Sequence, residues 1–222
     1  MSKPIKAVIF DLDGTLLNTL NDISEIVNSV LELHHFKTFS TNDYKQFIGN
    51  GLEMLCRRAL PKNIDEYLFK SIFVEVKEAY NERQNIKTKP FDGVIEMLAN
   101  LQRLNISIAV LSNKPHEFVK PTIDHYFPNI NFSLMYGARK EYERKPDPTV
   151  LLMMLNEMSL KKDECLYVGD TETDILTAKN AGVDSIAVLW GFRSEDALKK
   201  EKPNYTISKP KELIDIIEKK RG

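Results

Sequence analysis

The sequence predicts an α/β fold, a parallel sheet of about five strands flanked by helices, with an α-helical bundle inserted after the first strand. Two patterns carry this prediction. Short apolar runs of strand length alternate with segments whose apolar residues recur at helical spacing, and strands separated by helices pair in parallel through crossovers. Between residues 19 and 87 that alternation stops and only helical stripes remain.

The first strand covers residues 5–10, an apolar run that ends at Asp11. In the following segment Ile23, Ile26, Val27, Val30 and Leu31 form one helical stripe. Leu68, Phe69, Ile72, Phe73, Val76, Ala79 and Tyr80 form another. Such stripes are most simply the core of a small bundle of their own. The chain is therefore expected to divide into residues 1–18 with 88–222 as one unit and 19–87 as a second.

Within the first unit, Val94, Met97, Leu98, Leu101 and Leu104 predict a helix, with Asp92 as N-cap and Asn105 as its stop. A strand follows over residues 106–112 and ends at Ser112, and residues 132–138 read as another. A helix over residues 148–158 opens with Pro148, where a missing N–H costs little. Residues 165–170 form a strand that stops at Asp170, and residues 184–190 a fifth. In parallel sheets ligands sit beyond the carboxyl ends of the strands. Asp11, Ser112 and Asp170 are therefore expected together.

With 222 residues the chain can bury a substantial core, and 42% hydrophobic and 28% charged residues match an ordinary globular protein. A net charge of -1, from 31 basic and 32 acidic side chains, leaves no footprint for nucleic acid or an anionic membrane surface. No apolar run approaches the roughly 18 residues of a membrane span. Lys3 and Lys6 precede too short an apolar stretch for a signal peptide, so a cytoplasmic protein is expected. Cys56 and Cys165 lie far apart, in no metal-binding spacing, and read as buried small hydrophobes. The lysine-rich end "EKKRG" reads as a solvated helix terminus.

Asp11 and Asp13, in "DLDGT", are two apart and can share one site in extended backbone. Two half-buried carboxylates repel unless a cation joins them or one keeps a proton. An Asp-Gly turn is the plain alternative. However, the D-x-D-G-T pattern arises by chance only about a few times per thousand chains of this size. A second carboxylate pair, Asp170 and Asp174 in "GDTETD", would have to repeat the coincidence.

Carboxylates at strand ends without His or Cys suit a hard cation such as Mg²⁺, which retains waters and takes phosphate oxygens as further ligands. Ser112 and Asn113, just before a predicted helix opened by Pro115, could hold a phosphate through a hydroxyl and backbone N–H groups. Lys145, in "ERKPDP", supplies a point charge. Alone, neither Ser112 nor Lys145 would be distinguished from a solvated surface residue.

Taken together, "DLDGT", "LSNK", "KPDP" and "GDTETD" resemble, in order, the four motifs of the haloacid dehalogenase superfamily of phosphohydrolases. The resemblance runs over nearly the whole chain. It implies a Rossmann-like core and makes the helical insertion a cap. The stretches "FIGNGLEMLCRRAL", "SNKP", "ERKPDP" and "VLWGFRSEDAL" resemble the phosphoglycolate phosphatase branch. Ser112 where that branch usually has threonine, and "PFDG" before the second core helix, depart from it.

The resemblance implies that Asp11 attacks phosphorus to form an aspartyl-phosphate. Asp13 then protonates the leaving alkoxide and afterwards activates water. Asp11, the backbone carbonyl of Asp13 and Asp170 would bind Mg²⁺. Ser112, Asn113 and Lys145 would bind phosphate. Thr15 would brace the turn, and Asp174 would position the ion or Lys145.

Specificity is expected in the cap, where Gly49, Asn50 and Gly51 could form a loop over the site. Arg57 or Arg58, or Lys114 beside the phosphate loop, could meet a substrate carboxylate. A helix-helix turn with solvated arginines is the alternative. His34, His35, His116 and His125 make no ligand pattern. The expected partner is a small phosphorylated metabolite, and the protein a monomer or homodimer. A pyrophosphatase, a nucleotidase, a sugar-phosphate mutase, and outside catalysis a phospho-accepting module, are the competing readings. A dehalogenase would have no use for an acid at Asp13.

Overall fold

The computed structural model describes residues 4–221. Lys3, part of the N-terminal basic pair, and Gly222, at the lysine-rich end, lie outside the described residues.

After β1 (Ala7–Phe10) and the two-residue β2 (Leu17–Asn18) come four helices: α1 (Leu20–Leu33), α2 (Thr41–Phe47), α3 (Leu52–Ala59) and α4 (Glu66–Arg83). The chain returns through β3 (Lys89–Pro90) and continues as α5 (Val94–Arg103), β4 (Ser107–Pro115), α6 (His116–Tyr126), β5 (Phe132–Ala138) and α7 (Thr149–Glu157). It ends with β6 (Cys165–Gly169), α8 (Glu172–Ala181), β7 (Asp184–Val188), α9 (Glu195–Lys200), β8 (Tyr205–Ile207) and α10 (Glu212–Arg221).

Among the described residues, β5-β4-β1-β6-β7-β8 form one parallel sheet. Phe10 lies opposite Val110 on one side and Val168 on the other. The register thus brings Asp11 and Asp170 to the same edge. The chain leaves β1 towards β4 and later returns to its other flank with β6, so the crossovers diverge at β1. This divergence opens the crevice in which α/β sheets bind ligands.

Side chains alternate between two helical layers. Val8, Phe10, Val110 and Val168 join Met97, Leu101 and Leu213 on one face. Ile9, Ala109, Leu111 and Tyr167 join Leu151, Met154 and Ala178 on the other. Burial on both faces explains why these strands read as continuous apolar runs.

The four inserted helices enclose a separate apolar cluster built on Ile26, Val30, Tyr44, Leu55, Phe69 and Ile72, which also receives Phe118 and Phe192. At its base β2 and β3 pair antiparallel, Leu17 opposite Pro90 and Asn18 opposite Lys89. Asp22, in the first turn of α1, fastens the returning chain. Its carboxylate accepts from the backbone N–H of Ile86, Lys87 and Thr88 and from Thr88 Oγ1, at 3.1, 2.8, 2.9 and 2.6 Å.

Several local expectations are corrected. The sheet has a sixth strand, β8, too short to show a sequence period. Gly93, with a left-handed φ of 82°, and not Asp92, occupies the N-cap of α5. β4 runs past Ser112 to Pro115 through an irregular register, which makes Pro115 the N-cap of α6 and not its first turn. Pro148 likewise stands at the N-cap of α7. Leu68 is 40% exposed, on the outer side of its stripe. Both cysteines are buried and free, as expected.

Candidate active site

The loop after β1 is shaped by its own backbone. Asp11 N–H donates to Val168 at 2.9 Å, Gly14 N–H to Leu17 at 2.8 Å, and Leu17 N–H to Leu12 at 3.0 Å. Gly14 has φ +95°, and a Cβ there would collide with the Asp170 carboxylate. Only glycine allows the loop this close to β6. Thr15 Oγ1 donates to Asp170 Oδ1 at 3.1 Å, and Phe192 N–H to Asp170 Oδ2 at 2.8 Å. Trp190 Nε1 completes the brace by donating to the Thr15 carbonyl at 2.9 Å.

Lys145 lies buried among anions. Its Nζ donates to Asp11 Oδ1 at 2.9 Å and Asp174 Oδ1 at 2.6 Å, and lies 3.1 Å from the Tyr167 hydroxyl. The Asn113 side chain grips the lysine backbone from both sides, accepting from Lys145 N–H at 3.0 Å and donating to the Lys145 carbonyl at 3.1 Å. Asn113 Nδ2 also donates to the Gly49 carbonyl of the insertion at 2.9 Å. Asp174 is the N3 residue of a capping box on α8, its Oδ2 accepting from Thr171 N–H and Oγ1 at 3.0 and 2.6 Å.

The Asp11, Asp170 and Asp174 carboxylates can bring oxygens within 4.8 Å of one another. Against these three stands one ammonium in contact, Lys145, so the cluster carries two uncompensated negative charges when fully ionised. Burial, reinforced by Asp174 and Asp13, raises Asp11 to about 7 despite the opposing Lys145 charge. Burial and the charges of Asp174 and Asp11 raise Asp170 well above the carboxylate range. Burial alone would lower Lys145, but Asp11 and Asp174 outweigh it and hold the amine protonated.

This donor set fits a hard divalent cation. Its charge balances the excess, and the ligands are carboxylate oxygens with no softer atom among them. Asp174 is already engaged on both oxygens, whereas no described group donates to Asp11 Oδ2. Asp11 Oδ2 is therefore open to an ion, with Asp170 beside it on Thr15 and Phe192 and Asp174 holding Lys145. Such an ion would screen phosphate charge and keep Asp11 ionised.

Above the carboxylates is a small cavity of about 50 Å³, lined by Asp11, Asp13, Ser112, Asn113 and Lys114 and, from the insertion, by Ile48, Leu52 and Tyr80. Ser112 Oγ accepts Lys114 N–H at 3.3 Å, and its own proton has no acceptor among the described residues. Lys114 Nζ lies 3.3 Å from Asp13 Oδ1 and is bonded to the Tyr80 hydroxyl. Burial works against the Lys114 charge, but Asp13 and Tyr80 reverse the effect and raise it.

Gly49 and Gly51 line the cavity. Asn50 instead turns to Thr173 Oγ1 at 3.2 Å and receives Arg58 on Oδ1 at 2.6 Å. Arg57 is not brought to the site. Its guanidinium pairs with Glu66 and Glu53 at 3.0 and 3.3 Å and covers the Phe69 ring on the far side of α3. Arg58 is occupied with the Phe47 carbonyl at 2.7 Å as well as Asn50.

Sequence reading missed Tyr80, which looked like an ordinary member of the α4 stripe, and Tyr167, hidden in a strand. It read Trp190 as the end of a strand, which stops at Val188, and quoted Arg193 only as part of a resemblance. Arg193 ties the core to the insertion, donating to the carbonyls of Lys45 and Ile48, the latter at 2.7 Å, and to Glu172 Oε2 at 2.9 Å.

Known proteins are similar to this chain over most of its length. The chain is 31% identical to phosphoglycolate phosphatase 1 of Pseudomonas aeruginosa, over 94% of this chain and 78% of that protein. It is 29% identical to the phosphoglycolate phosphatase of Aquifex aeolicus, over 96% of this chain and 97% of that one. A solved structure from Lactobacillus delbrueckii, provisionally named a phosphoglycolate phosphatase, superposes with a TM-score of 0.91 at 30% identity, covering 96% of this chain and 98% of the other. These relatives are enzymes, which sets aside the phospho-accepting module. Residues 8–188 match the family model of the haloacid dehalogenase-like hydrolases. That span carries every carboxylate of the cluster, and the chain belongs to this family, as a phosphatase of the phosphoglycolate phosphatase-like kind.

Proposed function

We propose that this enzyme hydrolyses a small phosphate monoester with Mg²⁺ bound, through a phosphoryl group carried on Asp11, and that 2-phosphoglycolate is its substrate. The observation that carries the reading is the pairing of two carboxylates at one cavity. Asp11 is held by Lys145, and Asp13, on the cavity side, is held by Lys114. One is suited to nucleophilic attack and the other to handling a proton.

In the first step an Asp11 oxygen forms a bond to phosphorus as the ester P–O bond breaks, and the leaving oxygen takes a proton from Asp13. In the second, Asp13 removes a proton from water, whose oxygen attacks phosphorus and displaces the Asp11 carboxylate, releasing inorganic phosphate. Lys145, the Ser112 hydroxyl and nearby backbone N–H groups face the charge that spreads over the equatorial oxygens. Bound Mg²⁺ supplies further charge neutralisation.

The names of the relatives support 2-phosphoglycolate, and the small cavity supports a small leaving group. The test ranks phosphate esters by kcat/KM with Mg²⁺. 2-Phosphoglycolate is expected ahead of pyrophosphate, nucleoside monophosphates and hexose phosphates, with activity lost in EDTA and restored by Mg²⁺. A hexose phosphate or nucleotide at the top would overturn the substrate, and undiminished activity in EDTA would overturn the metal.

A further inference from the structure

Building on the phosphatase reading above, we infer that Lys114 selects the leaving group, by receiving a carboxylate carried on the carbon next to the esterified one. Lys114 is 6% exposed, the penultimate residue of β4 before α6. It is gripped from two sides: Asp13 Oδ1 on the catalytic loop at 3.3 Å, and the Tyr80 hydroxyl on α4 of the insertion. An ammonium has three N–H donors. Two have partners here, which leaves one for the cavity that Lys114 lines.

The walls make that donor decisive. Ile23, Ile48, Leu52 and Leu55 form the apolar side of the cavity, and among the described residues that line it Lys114 is the one cation. A carboxylate enclosed by such walls without a partner would be costly, so an anionic leaving group has a single place to put its charge. The volume of about 50 Å³ suits a small leaving group.

Spacing narrows the class further. Asp13, which hands its proton to the ester oxygen, and Lys114 are 3.3 Å apart. In a 2-hydroxy acid the ester oxygen and the nearer carboxylate oxygen lie roughly 3 Å apart at ordinary bond lengths. Such a leaving group can face both residues at once. Tyr80 joins Lys114 only with the insertion seated over the core, so the selecting cation is assembled by both parts of the chain.

The test compares 2-phosphoglycolate with 2-hydroxyethyl phosphate, which has the same length and a hydroxymethyl group in place of the carboxylate. Both are assayed with Mg²⁺ on the wild type, Lys114→Met and Tyr80→Phe. The wild type is expected to favour the acid, and Lys114→Met to cut the ratio of the two kcat/KM values by about 10- to 100-fold, the loss of one charge-assisted hydrogen bond. Tyr80→Phe, which keeps the ring, should lower the same ratio by several fold. It decides alone if Lys114→Met fails to fold by circular dichroism. A lysine that merely holds Asp13 would slow both esters in parallel, and an unchanged ratio overturns the assignment. A wild type that turns over the neutral ester as well as the acid also overturns it, while leaving the phosphatase chemistry standing. Failure to turn over any ester removes the chemistry and the assignment together.

Discussion

Replacing Asp11 by asparagine should make the metal-free protein more stable while abolishing its activity. Asp11 is 6% exposed and is raised from its ordinary 3.8 to about 7, chiefly by burial. Keeping it ionised in the fold therefore costs about 4 kcal/mol above pH 7. The sign follows from proton counting. Between about pH 4 and 7 the folded chain holds a proton that the unfolded chain has released, so this group's penalty is absent below about pH 4. It grows as pH rises through that window and levels off above about 7.

Asparagine keeps the shape without the charge, and Lys145 retains Asp174 at 2.6 Å. Urea unfolding in EDTA, followed by circular dichroism from pH 5 to 8, should show the variant gaining on the wild type as pH rises. The gain should reach about 2–4 kcal/mol at pH 8, allowing for relaxation around the cluster. Mg²⁺ should narrow the gap, because a hundredfold excess over Kd stabilises the wild type by about 2.7 kcal/mol and the variant by less. A variant less stable than wild type in EDTA at pH 8, or a gap that ignores pH, would refute the account of Asp11 as a buried charge awaiting a cation. Residual hydrolysis within tenfold of wild type would refute its role as nucleophile.

Three further outcomes are expected. Asp13→Asn should lower kcat by about 10²–10⁴-fold and let phosphoenzyme accumulate in rapid-quench experiments, whereas normal turnover would remove Asp13 from proton transfer. Arg193→Ala, which removes the bonds to the Lys45 and Ile48 carbonyls, should loosen the insertion and lower kcat/KM by about tenfold. Rates within twofold would show that seating the insertion does not depend on Arg193. Ile72→Ala, at a fully buried position in the insertion's own cluster, should cost about 2–5 kcal/mol in chemical denaturation, and a loss below about 1 kcal/mol would contradict that packing.

The sequence by itself determined the features that rest on local pattern. The β1, β4 and β6 runs are apolar on both faces because the sheet is covered on both sides, so they stand out from the chain. Each then breaks at a polar residue, Asp11, Ser112 or Asp170, that stays buried where the strand ends meet the insertion. Asp11, Ser112, Asn113 and Asp170 were legible for that reason, and Gly14 through the turn it permits. Asp174 and Lys145 were legible through the motifs around them.

Only the tertiary structure decided what depends on packing between distant segments. Nothing local distinguishes Tyr80 from the other apolar-stripe residues of α4, and its hydroxyl gains a role only where α4 lies over Lys114. Arg57 carries the same charge as Lys114, yet its neighbours Glu53 and Glu66 draw it to the far side of α3. Asp22 resembles an ordinary first-turn acid until the chain returns sixty-four residues later to place Ile86 N–H against it. β8 has too few residues for a period and is a strand because β7 offers it an open edge. Chemistry confined to one loop can be read along the chain, but a charge that chooses its partner across the fold is fixed by distance and desolvation, and these exist only once the chain has packed.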